Sequence, residues 1–160
     1  MIVRESEEGE KIVTLDGLER ILPAGVIVIE DGLGRLIDLC GIMGAKNSEV
    51  DEFTKRVLLF AQIYDPVRIR KASMALGHRT DAALRFEKGI DFERVTPSLW
   101  YAAELLEKNA SAVLASGLID ITEKEFTQKK VYACYDKISK IAGQDINPRE
   151  ARAILGGLGF

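Results

Sequence analysis

Two stretches of this chain concentrate the residue types that do chemistry. The first is Gly41-Ile42-Met43-Gly44-Ala45-Lys46-Asn47-Ser48-Glu49-Val50. It sets two glycines in an apolar run and follows them with polar turn residues. Glycine lacks the side chain that would block approach, so the pattern fits a strand end where backbone comes close to something, or a tight turn. The second runs from His78 to Asp91 and gathers Arg79, Asp81, Arg85, Glu87 and Lys88 around the small pair Ala82-Ala83 and Phe86. Arg85 and Glu87, two apart, share a face of a strand or lie side by side in a loop, and the reading for them is a structural ion-pair network.

Other candidates are plainer. His78 is the one histidine, next to Gly77 at an expected helix end, which suits a C-cap or surface residue better than a general base. Ser73 and Ser98 fall on expected helices without a base at hand, so no nucleophile–base pair emerges and no catalytic residue is assigned. Gly32-Leu33-Gly34 lacks the rest of a dinucleotide fingerprint and reads as a turn. Cys40 and Cys134 have neither metal-site nor redox-pair spacing. Each sits in an apolar, strand-like run, so both are expected to be buried in a reducing cytosol.

With 22 basic and 25 acidic residues the net charge is -3, and no basic stripe stands out. That excludes an autonomous nucleic-acid binder, which needs clustered Lys and Arg to displace counterions. The charged start and the lack of a long apolar run indicate neither a signal peptide nor a membrane span.

The elements that must position these stretches follow from local pattern. Residues 11–15 read as a strand turned by Asp16-Gly17, residues 26–29 as a second and 36–43 as a third. Residues 57–64, nearly all apolar, read as a central strand covered on both faces. Asp65-Pro66 opens a helix through Leu76 that Gly77 ends, and Thr96-Pro97 opens a longer one. Leu99, Ala102, Ala103, Leu105 and Leu106 form its inward stripe, with Trp100 and Tyr101 packing nearby. Residues 112–121 return as a strand. Short helices follow at 136–142 and after Asn147-Pro148. The expected class is α+β: a mixed β-sheet with packed helices, plus the helical start of a second domain. The boundaries are 1–124 for the first domain, 125–130 for a linker and 131–160 for the second.

In this order, the two stretches resemble the editing module of the bacterial phenylalanyl-tRNA synthetase beta subunit. There the first usually reads Gly-Ile-Met-Gly-Gly-Glu-Asn-Ser-Glu-Val and the second Arg-Thr-Asp-Ala-Ser-x-Arg-Phe-Glu-Lys-Gly-Val-Asp. Asp65-Pro66-Val67-Arg68-Ile69-Arg70 is similar to the family's Asp-Pro-x-x-Ile-Arg, and residues 138–160 look like the opening of the domain that follows. The resemblance covers nearly the whole chain, which is therefore expected to be an internal piece of a longer subunit.

The resemblance implies proofreading. Such an enzyme joins phenylalanine to its tRNA with ATP and Mg2+, and the editing module hydrolyses tyrosine attached by mistake. An apolar pocket rejects one extra hydroxyl poorly, whereas a site that hydrogen-bonds the hydroxyl discriminates well. By resemblance, Gly41, Ile42, Met43 and Gly44 line the pocket, Ala45 forms its floor and Asn47 orients the turn. Thr80, Asp81, Ala82 and Ala83 make another wall. Lys46 takes the place of a glutamate that the family pattern associates with the tyrosine hydroxyl; lysine only donates hydrogen bonds, so tyrosine selectivity is put in question there. The implied partners are the phenylalanine-specific tRNA and an alpha subunit in an alpha2-beta2 assembly, in the cytoplasm. No cofactor is expected on this stretch itself. The alternatives are a non-catalytic structural or tRNA-positioning module and a free-standing protein that edits in trans.

Overall fold

The structure is a computed structural model that describes residues 1–121 and 130–160. The chain divides into two units, Met1–Ile119 and Asp120–Phe160. The linker expected at 125–130 lies outside the described residues except for Lys130.

The first unit begins with six short strands: β1 (Ile2–Glu5), β2 (Lys11–Val13), β3 (Glu19–Ile21), β4 (Ile27–Glu30), β5 (Leu36–Leu39) and β6 (Met43–Gly44). β1, β4, β5 and β6 form one sheet in that order, and β2 and β3 form a separate hairpin over the expected Asp16-Gly17 turn. A single bridge between Thr14 and Ala45 ties the hairpin to the sheet. The α+β class expected from the sequence holds, and every described strand pair is antiparallel. In β5 the side chains alternate. Leu39 sits opposite Val28 in the core, and Asp38 sits between Ile29 of β4 and Gly44 of β6 on the other face.

Helices close over the core face. α1 (Pro66–Ala75) starts where the sequence says: the Asp65 carboxylate accepts the Arg68 N–H at 2.9 Å, and proline occupies the first helical position. α1 buries Ile69, Ala72 and Ser73. Complete burial of Ile69 against Val28, Leu39 and Ile42 contributes roughly 1.5–3 kcal/mol. α2 (Asp81–Phe86) was not anticipated as a helix, and it is capped by Thr80. α3 (Val95–Ala110) begins one residue before Thr96 and runs on from a 3-10 turn at Phe92–Arg94, with no side-chain cap. Its inward positions are Leu99, Ala102, Ala103 and Leu106; Leu105, Trp100 and Tyr101 are exposed, so the two aromatics do not pack as expected.

Two expected strands are absent. Residues 57–64 carry no regular secondary structure and pair with no strand among the described residues, and Val57, Leu58, Leu59 and Phe60 are exposed rather than covered on both faces. Residues 112–121 likewise carry no ladder, and Val113, Ile119 and Ile121 are exposed. A run of apolar residues signals affinity for a buried position, but a strand also needs a neighbour to complete its hydrogen bonds. No such neighbour stands beside either run among the described residues.

The second unit holds α4 (Tyr135–Ala142), ended by left-handed Gly143, and α5 (Pro148–Gly157). Asn147 caps α5 by accepting the Glu150 N–H at 2.9 Å. Ser139 on α4 is hydrogen-bonded to the Ile146 backbone, which fastens the short turn between the helices. Cys40 is buried as expected, but Cys134, at the start of α4, is exposed.

Candidate functional site

β5 leaves the sheet at Cys40 and reverses through Gly41 into β6. Gly41 has φ +67°, and a Cβ there would lie 3.0 Å from Ile69 Cδ1 and 3.2 Å from Tyr64 Cδ2. Glycine is required at this corner because α1 and the segment before it pack directly onto the turn. Ile42 turns its side chain into the core and presents its carbonyl to Thr80, whose hydroxyl donates to it at 2.8 Å. The same Thr80 oxygen accepts the Ala83 N–H at 3.1 Å, capping α2. One side chain therefore joins the two chemistry-bearing stretches, 38 residues apart.

That junction forms one side of a cleft of about 410 Å³. Gly41, Ile42, Met43, Gly44 and Ala82, five of the residues singled out in the sequence, line it. The remaining wall was missed: Phe60 and Gln62 come from the unpaired 57–64 segment, and Tyr64 and Phe86 meet with ring centroids 5.1 Å apart. Asp38, Arg94 and Ser98 supply the other polar groups. A readable signal for Asp38 existed, since it is the one charged residue in the apolar run 36–43.

The other expected site residues lie elsewhere. Ala45 and Ala83 are core residues, each about 1% exposed. Asp81 is an exposed acid in the first turn of α2, where it favours the helix dipole. Lys46 and Asn47 border a different groove, of about 570 Å³, beside β2 and β5. There Lys46 Nζ pairs with Glu49 at 2.5 Å with both side chains about half exposed, and Asn47 donates to the Leu36 carbonyl at 3.0 Å. Ser48 donates to the Ile37 carbonyl at 2.8 Å, so the two residues pin the turn onto β5. The ion-pair network assigned to Arg85 and Glu87 resolves differently: Glu87 pairs with Arg79 at 2.8 Å, and exposed Arg85 makes no ion pair among the described residues.

Electrostatics single out the inner part of the cleft. Burial pushes the Asp38 carboxyl up from the ordinary carboxylate range. Cys40 lies between Asp38 and Tyr64 in hydrogen-bonding contact with both, and burial pushes its thiol up to about 12. A thiol held protonated in this way is a packing group, not a nucleophile. The Tyr64 phenol is raised too, again chiefly by burial, and it donates to Gln62 Oε1. His78 does not line the cleft. Its side chain is largely buried, Nε2 lies 3.9 Å from Asp16 without a hydrogen-bond partner among the described residues, and burial lowers its pKa. Ser73 donates to the His78 carbonyl at 3.0 Å and has no catalytic neighbour.

Among the described residues, no group of three or more His, Cys, Asp or Glu side chains could hold a metal ion, and Gly32-Leu33-Gly34 sits in the β4–β5 turn. No described helix is long and apolar enough to cross a membrane. The cleft thus combines aromatic and aliphatic walls with the Asp38 carboxyl and the Gln62 amide among its lining groups.

Comparison with known proteins identifies the family. Along its whole length the chain is 38% identical to a phenylalanine–tRNA ligase beta subunit from Carboxydothermus hydrogenoformans. It is 36% identical to one from Protochlamydia amoebophila and 37% identical to one from Bacillus subtilis, again over its full length. The chain spans about one fifth (20%) of the length of each of these relatives. The family model described as the B3/4 domain matches residues 1–111, which takes in all of β1–β6 and α1–α3 and every residue lining the cleft, and the chain belongs to that B3/4 domain family.

Proposed function

We propose that this chain is the proofreading region of a phenylalanine–tRNA ligase beta subunit and that its cleft receives the aminoacyl end of a mischarged tRNA for hydrolysis. The observation that carries the reading is the Thr80–Ile42 hydrogen bond, which sets Gly41–Gly44 against Ala82 and Phe86 and so makes the cleft. Apolar walls with few polar groups suit an aromatic aminoacyl group. The ester is already activated, so a positioned water and a polarised carbonyl suffice without a side-chain nucleophile. Arg94 stands at the cleft with its side chain 82% exposed, where it meets the phosphate of an incoming tRNA end.

On this reading the rest of the tRNA is held elsewhere in the ligase, in keeping with a net charge of -3. The alpha subunit, the alpha2-beta2 assembly, and the ATP and Mg2+ used for attachment belong to the complete cytoplasmic enzyme. The chain alone is expected to be inactive.

The test fills the cleft. In the complete ligase, Ala82→Trp should abolish deacylation of tyrosyl-tRNA while phenylalanine attachment continues. Unchanged deacylation would refute the cleft as the editing site. Deacylation lacking in the unsubstituted ligase would favour a non-catalytic positioning module, and deacylation by the separate chain would favour an enzyme acting in trans.

A further inference from the structure

An editing site for tyrosine has to recognise a hydroxyl, and the groups that line this cleft offer few ways to do so. Asp38 and Arg94 carry its only formal charges among the described residues. Arg94 is exposed and only donates hydrogen bonds. Lys46 borders the other groove and pairs with Glu49. Asp38 is half-buried on β5, flanked in register by Ile29 and by Gly44.

Gly44 faces that carboxyl across the strand pair with no side chain between them: a Cβ at Gly44 would come into ordinary contact with Asp38 Oδ1 at 3.7 Å and Leu15 Cδ1 at 3.4 Å. Phe60 and Phe86 line the same cleft and provide apolar faces on which a ring can rest. We infer that Asp38 is the specificity-determining residue of this cleft, its carboxyl accepting a hydrogen bond from the hydroxyl of an aromatic aminoacyl group whose ring lies against Phe60 and Phe86. The inference rests on the editing reading given above.

The physical reason is asymmetric. A tyrosyl group pairs with the carboxyl as it displaces water. A phenylalanyl group displaces the water and offers no donor in its place, so the carboxyl keeps only its contact with the Cys40 thiol and loses the rest of its solvation, which costs more than a hydrogen bond contributes. Burial already makes Asp38 reluctant to ionise, and a donor from the substrate offsets that penalty.

The test uses the complete ligase carrying Asp38→Ala or Asp38→Asn, with the aminoacylation site saturated by phenylalanine. Equilibrium binding of amide-linked, non-hydrolysable tyrosyl- and phenylalanyl-adenosine is measured beside deacylation of the two aminoacyl-tRNAs. We expect Asp38→Ala to reduce the tyrosyl-over-phenylalanyl preference about tenfold or more. Asp38→Asn should retain part of it, since an amide oxygen still accepts, and this conservative variant separates lost recognition from lost folding. An unchanged preference in both variants overturns the assignment to Asp38 and leaves the editing reading standing. Absence of any tyrosyl preference in the unsubstituted enzyme also overturns it. Tyrosyl-selective binding without hydrolysis, abolished by Asp38→Ala, supports Asp38 and overturns editing alone.

Discussion

The two depressions on either side of residues 44–46 make an instructive pair. Gly44 opens on the cleft with Asp38, Phe60 and Ala82, whereas Lys46, two residues on, borders the groove beside β2 with Asn47. The cleft side is held from several directions at once, by Ile69 against Gly41, Thr80 on the Ile42 carbonyl and Tyr64 against Phe86. The groove side is held by an exposed ion pair and by side-chain bonds within one turn. Neighbouring positions in one motif therefore serve different surfaces, and substitutions in them should differ sharply in cost.

The largest effect is expected at Gly41. Gly41→Val introduces a β-branched side chain at φ +67° and a Cβ within 3.0 Å of Ile69, so unfolding in urea should show a loss of about 3 kcal/mol or more. A loss below about 1 kcal/mol would mean that the corner adapts and the cleft is softer than its packing implies. Thr80→Val comes next. It removes a helix cap and leaves the Ile42 carbonyl without its donor, a combined cost of about 2 kcal/mol. Hydrogen exchange should show faster opening of α2 in this variant than of the β2–β3 hairpin.

Asp38 gives a smaller effect with a definite sign. Its folded-state pKa is raised, so its contribution is fully present below the unfolded pKa, about 3.9, and is lost as pH rises through the folded value. The melting temperature of Asp38→Asn should therefore gain on that of the parent as pH increases through the weakly acidic range. A difference that stays flat with pH would show Asp38 to be better solvated than its place in the cleft suggests. Lys46→Glu should matter least. Breaking a half-exposed ion pair changes stability by about 1 kcal/mol or less, and the tyrosyl preference in the complete ligase should stay as it was. A changed preference would join the two surfaces functionally and weaken the contrast drawn between them.

The sequence by itself determined what depends on neighbours along the chain. Asp65-Pro66 and Asn147-Pro148 open helices because the cap side chain and the fixed proline φ act within one turn, and Asp16-Gly17 folds a hairpin for the same local reason. Five residues of the paired motifs, Gly41, Ile42, Met43, Gly44 and Ala82, line the cleft. Tertiary structure alone decided the rest. Residues 57–64 look like a buried strand but form no ladder, Cys134 and Trp100 are exposed despite apolar surroundings in sequence, and Lys46 turns away from the cleft while Asp38 and Phe60 line it. Each of these outcomes depends on which distant segment supplies a hydrogen-bonding edge or a packing face, and pattern along the chain does not carry that information.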